Sequence, residues 1–306
     1  MQNYKTDIAA QMMTLAAIAY GGDSHPTNQA DAQKAIHDLL LNPNFATQNQ
    51  WKRVWGPIIT SGTDNLCFVA QKGTEFAIVL RGTVMTWDSW KEDIPESQSP
   101  YPWYGGLKVS TSFLQALDEM MTTPYEGLKL VEYFNSVNPS KIYVTGHSQG
   151  GGLTPMMMGM VHSVFNQPAE GHAFAPPTSG DPAFAQWIDS LGTCYLYSNP
   201  LDLVPLGYAD MQDVYEKGIP IPVPNDFDGK IIKHIVGDAI ETANKAGQWQ
   251  QPTPNTTPLV AHPYQPSRFS WLQEFADAVE GQHNHNSYLY LLGAYQPVDG
   301  SASPLA

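Results

Sequence analysis

The stretch YVTGHSQGGGL, residues 143–153, packs a serine and a histidine among glycines, between an apolar run and a helical pattern. Gly146-His147-Ser148-Gln149-Gly150 fits G-x-S-x-G in the strand-then-helix setting that a nucleophile elbow requires. The glycines permit a tight turn, the serine takes a strained position with its hydroxyl presented, and the N–H of Gln149 points to where a substrate oxyanion would form. A chance pentapeptide in a glycine-rich loop is the bland alternative, and the strand, motif and helix in sequence argue against it.

A serine hydroxyl needs a base, and the base needs an acid that holds its tautomer. In strand–helix architectures of this kind they follow the serine in the order acid, then histidine. Asp202, in YSNPLDLVP, comes just past a strand and so reaches the same rim of the sheet as Ser148; a turn aspartate capping its own loop is the competing reading. The histidines beyond it are His234, His262, His283 and His285. His234 falls on a helical face and His262 precedes a proline, which marks both as surface residues. The close pair in QHNHN lacks the nearby cysteine or third ligand that a metal site would need, so no metal is expected. Thr83, immediately after FAIVLRG, can aim its N–H and hydroxyl into the same crevice, or simply bond locally in its turn.

The elements that must position these groups follow from hydrophobic periodicity. An amphipathic helix ending at Gly21 and a second helix over Asp31–Leu41 precede three strands, WKRVWGPIITSG, NLCFVAQ and EFAIVLRG, the last two joined by a turn at residues 72–74. Helices over 111–122 and 125–136 lead into KIYVTG; a helix over 150–164, GHAFA, the helix AFAQWIDSL and CYLYS come next. Strands alternating with helices imply a largely parallel sheet with its site at the carboxyl ends of the strands. Beyond Asp202 the pattern loosens into the proline-rich KGIPIPVPND, a helix near 230–246, the loop QPTPNTTP and two helices flanking GQHNHN. No linker divides the chain, so residues 1–306 read as one domain.

In this order the motifs resemble those of the fungal-type triacylglycerol lipases, the class 3 lipase family of the α/β-hydrolase fold. LAAIAYGG is similar to the family's first helix, FAIVLRGT to its oxyanion strand, YVTGHSQGG to its elbow, FAPPTSGDPAFAQWI to its next strand and helix, and YSNPLDLVP to its acid motif. HNSYL, residues 285–289, resembles the catalytic histidine with its following tyrosine, so the resemblance implies Ser148 as nucleophile, Asp202 as acid and His285, not His283, as base, with Thr83 and the Gln149 N–H as oxyanion hole. It also implies a lid over residues 84–105, where Trp87 and Trp90 would face lipid. Gln149 departs from the family's usual leucine, Ser110-Thr111-Ser112-Phe113 from its His-x-Gly-Phe, and residues about 206–270 read as an insertion covering the site.

The expected activity is therefore hydrolysis of acylglycerol esters at a lipid–water interface, without metal or organic cofactor. A soluble short-chain or feruloyl-type esterase, a phospholipase A1 and a non-catalytic lipid-binding protein are the alternatives. A net charge of −14, from 29 acidic and 15 basic side chains, disfavours nucleic acid as a partner. No apolar run is long enough to span a membrane. The N-terminus does not read as a signal peptide, which suits a cytoplasmic protein or the mature form of a secreted one. Cys67 and Cys194 lie in apolar runs and read as core residues.

Overall fold

The computed structural model describes residues 5–21, 28–62, 64–82, 97–206, 237, 241–253, 256–259, 271–294, 296–298 and 305. β1 (Lys52–Ile59), β2 (Leu66–Lys72) and β3 (Glu75–Arg81) form an antiparallel meander. β4 (Gln98–Pro100) and β5 (Lys108–Ser110) make a separate ribbon. β6 (Lys141–His147) then pairs parallel to β3, and β7 (Ala169–Phe174), β8 (Cys194–Ser198) and β9 (Thr256–Pro258) continue the parallel sheet outward. The order β1-β2-β3-β6-β7-β8-β9 puts β6 at the centre, so the residue after it emerges in the middle of the carboxyl rim.

Side chains alternate across this sheet, as strand geometry dictates. Ile142 and Val144 of β6 join a core under α3 (Thr111–Thr122), α5 (Gln149–Phe165) and α6 (Pro182–Leu191), whereas Tyr143 joins a second core under α1 (Ile8–Ile18), α2 (Gln29–Leu40) and α8 (His285–Leu291). α4 (Leu130–Ser136), α7 (Trp271–His283) and a helical run at 241–246 are also described. Cys67 and Cys194 are both free and buried, and burial pushes the Cys194 thiol up to about 12. Among the described residues no helix is long and apolar enough to cross a membrane.

Several elements differ from expectation. α1 is not amphipathic: every residue from Met12 to Ile18 is buried, because the helix lies on β6, β3 and β7 and is covered by α8. At its start Asp7 caps Ala10 N at 3.0 Å and Gln11 Oε1 accepts from Trp51 Nε1 and Lys72 Nζ, and the buried Thr14 donates its hydroxyl back to Ala10 O at 2.8 Å. The helix expected from residue 125 begins at Leu130, since Glu126 and Gly127 both take positive φ in a turn closed by Tyr125 and Leu128. Part of QPTPNTTP is β9, whose Thr256 and Thr257 register with Leu196 and Tyr197 at the sheet edge, where a terminal proline is tolerated.

Thr83, Trp87 and Trp90 lie outside the described residues, as does most of the lid and of the 206–270 segment. At the far end of the lid stretch Tyr101 is core: it donates its hydroxyl to Met156 O at 2.6 Å and Trp103 packs edge-on against it. At the Ser110–Phe113 departure, Ser110 caps α3 and Phe113 is buried against Gly152.

Candidate active site

Ser148 stands between β6 and α5 with φ 60° and ψ −130°, a conformation that costs a non-glycine residue roughly 1–3 kcal/mol. The glycines on either side are steric necessities. A Cβ at Gly146 would strike the carbonyl of Gly150, and one at Gly150 would strike the carbonyl of Leu80. The elbow is held from outside by Ser148 N donating to Phe174 O at 3.0 Å. Serine at the start of a helix ordinarily caps it, yet this hydroxyl makes no capping bond; its Oγ lies 2.8 Å from His283 Nε2.

His283 is the last residue of α7, where the helix's carbonyl end favours positive charge on an imidazole. Its Nδ1 lies 2.9 Å from Asp202 Oδ2, which makes an unbroken chain from serine to carboxylate. Asp202 is fully buried in the turn after β8. Val204 N donates to its Oδ1 at 3.0 Å and the Tyr288 hydroxyl to its Oδ2 at 2.8 Å, so with His283 Nδ1 the carboxylate has three partners. Burial, and then the carboxylate beside it, push the Tyr288 phenol well above its usual value and keep it a donor. The same oxygen accepts from Asn199 N at 3.1 Å, and Asn199 Nδ2 reaches Gln282 Oε1 at 2.7 Å, which ties the acid turn to the end of α7.

The structure thus brings Ser148 and Asp202 together but places His283, not His285, between them. α7 ends at His283, Asn284 turns the chain and caps α8 through Asn286 N at 2.8 Å, and His285 starts the new helix facing elsewhere. Its ring stacks on Tyr20 with centroids 5.0 Å apart. The tyrosine spacing that singled out His285 is real, but Tyr288 serves the acid rather than anchoring that histidine. Tyr20 and Asn199 went unread; the only signals were a polar ring closing the apolar LAAIAY and an amide before Pro200.

Gln149 is the first residue of α5 and 8 % exposed, so its N–H belongs to the helix's first turn beside Ser148. β3 ends against it: a Cβ at Gly82 would sit 3.0 Å from Gln149 Cα. The end of β3 thus lies at the rim of the elbow.

Residues 77–209, from β3 through the acid turn, match the model of the lipase (class 3) family. The chain resembles the class 3 lipases over that segment. It is a carboxylic-ester hydrolase built on the α/β-hydrolase fold. The chain superposes on the crystal structure of M37 lipase with a TM-score of 0.79, at 22% identity over 95% of each chain. Rhizomucor miehei lipase, in its propeptide complex, is similar over 66% of this chain and 61% of that one, at 23% identity and a TM-score of 0.50. No curated protein sequence matches the chain. The family match ends well before His283, so the base is assigned from geometry alone.

Proposed function

We propose that this lipase cleaves acylglycerol esters through an acyl-enzyme on Ser148, with His283 as the base and Asp202 as its partner. The observation that carries the reading is the chain Ser148 Oγ, His283 Nε2, His283 Nδ1, Asp202 Oδ2, closed at 2.8 and 2.9 Å. His283 Nε2 takes the serine proton as Oγ bonds to the ester carbon, and the carbonyl electron pair moves to oxygen, where the N–H of Gln149 and the Thr83 segment would receive it. The tetrahedral intermediate collapses as His283 returns the proton to the departing alcohol, and water repeats the sequence on the acyl-enzyme. The resulting imidazolium lies between the carboxylate and the carbonyl end of α7, both of which favour it.

An interfacial substrate is supported by the sequence, in which Trp87 and Trp90 closely follow Thr83. The deciding experiment is a pair of alanine variants assayed on a soluble nitrophenyl ester, with fluorophosphonate labelling of Ser148. His283→Ala is expected to lose turnover on the order of a millionfold, as triad members do, and to label hardly at all; His285→Ala keeps most of both. The reverse pattern sinks the assignment.

A further inference from the structure

Behind His283 lies a second set of rings that the triad does not explain. The hydroxyl of Tyr20, in the turn after α1, is 3.2 Å from His147 Nδ1. The His147 ring in turn lies 4.8 Å, centroid to centroid, from the ring of His283 at an interplanar angle of 35°. Tyr288 meets His147 edge-on at 5.4 Å, and His285 closes the far side by stacking on Tyr20. Tyr20, His147, His285 and Tyr288 are all buried.

We propose that Tyr20 and His147 are positioning residues for His283: the phenol orients the His147 ring, and that ring holds the His283 imidazole at the angle from which Nε2 meets Ser148. The proposal rests on the reading of His283 as base. An imidazole bonded in line through Nδ1 and Nε2 is still free to rock about that line, and only packing on its faces stops it. His147 supplies one face. Because it directly precedes Ser148 on β6, it carries the position of the elbow into the position of the base.

The chemistry of the couple is consistent with that task. Burial drives the Tyr20 phenol up, so it remains an O–H with two acceptors in reach, His147 Nδ1 at 3.2 Å and the His147 carbonyl oxygen at 3.4 Å. With the phenol donating to Nδ1, the nearer of the two, the His147 proton sits on Nε2, beside the main chain of His283, although without a hydrogen bond of good geometry. Burial first, and then His283 and His285, push His147 well below the usual histidine value. The ring facing the base is therefore uncharged when His283 becomes imidazolium. The other titratable groups around it are Arg81 at the end of β3, whose charge acts on Tyr20, Asp202 on the acid turn, and Tyr288 on α8. A proton on His147 would place a second cation 4.8 Å from the one that catalysis must form.

Tyr20→Phe tests this, since it keeps the ring against His285 and removes only the oxygen. The expected result is a fall in kcat of roughly five- to tenfold, the worth of one orienting hydrogen bond, with KM unchanged. The acid limb of kcat/KM moves to higher pH, because an Nδ1 without its donor binds a proton more readily and a proton on either imidazole stops turnover. Should the variant lose thermal stability while kcat and the pH profile at permissive temperature stay put, the role is structural and the proposal falls. His147→Phe decides the matter if Tyr20→Phe does not fold. It should show the same kcat loss, and full activity there would overturn the proposal. With both variants in hand, adding Tyr20→Phe to His147→Phe should cost nothing further, whereas additive losses would refute the coupling. Turnover surviving in His283→Ala would instead remove the underlying assignment of the base, whatever Tyr20→Phe does.

Discussion

Replacing Tyr288 with phenylalanine takes one oxygen from beneath the site and leaves the ring that fills the space. That oxygen makes two bonds in a fully buried setting: it donates to Asp202 Oδ2 at 2.8 Å and accepts from Asn199 N at 3.1 Å. Losing a donor to a carboxylate costs about 1.5–3 kcal/mol, and stranding a buried N–H costs about 1–3 kcal/mol more. Relaxation of the acid turn recovers part of this, so the expected destabilisation is about 3–4 kcal/mol. For a chain of this size each kcal/mol lowers Tm by roughly 2–4 °C, which gives a drop of about 6–16 °C. The effect on chemistry should be much smaller, because Asp202 keeps His283 Nδ1 at 2.9 Å and Val204 N at 3.0 Å. Thermal unfolding measured beside kcat on a soluble ester separates the two. A Tm within about 2 °C of wild type would show that neither bond contributes as reasoned, and a kcat loss as deep as that of His283→Ala would show that Tyr288 belongs to the chemistry.

Ser148→Gly and Ser148→Ala should both be inactive, but at φ 60° the glycine variant escapes backbone strain that alanine retains, and it should unfold at higher denaturant by about 1–2 kcal/mol; equal midpoints would deny the strain. Glu170 is held down from 4.5 to about 2, first by His172 at 2.9 Å and then by Lys141 at 2.8 Å. A depressed carboxyl contributes stability that is present above 4.5 and lost as pH falls toward 2, so Glu170→Gln should flatten the decline of stability across that window, and an unchanged slope would sink the idea. Serine at both Trp87 and Trp90 should depress hydrolysis of emulsified long-chain triacylglycerol far more than that of a dissolved short ester. Equal losses would make the tryptophans structural and favour a soluble esterase.

The parts of the site legible in the sequence were those encoded by short-range sterics. Gly146 and Gly150 announce the elbow because nothing larger fits there, and Asp202 follows from chain order along alternating strands and helices. The base was not legible in the same way. His283 and His285 differ by two positions across a helix break at Asn284, and which of them faces Ser148 depends on how α7 approaches the sheet, a tertiary fact with no local signature. The family-like spacing to Tyr288 points to His285, whereas Tyr288 bonds Asp202, the carboxylate that meets His283. α1 shows the same limit from another side: the polar Asp7 and Gln11 look like one face of an amphipathic helix, but their partners, Ala10 N, Trp51 and Lys72, lie at its start, and the outer face is sealed by α8 from the opposite end of the chain.

That last contact bears on how the chain is made. α1 leaves the ribosome early, but β6 and α8, against which its buried faces rest, follow much later, and the stretch from Ile18 to Leu289 takes on the order of 15–50 s to synthesise at about 5–20 residues per second. Throughout that interval Met12, Met13, Leu15 and Ile18 have no permanent place to go. Nascent chains stalled before α8 should therefore be sticky, chaperone-bound and inert toward a serine probe, with reactivity arriving only as α7 and α8 emerge.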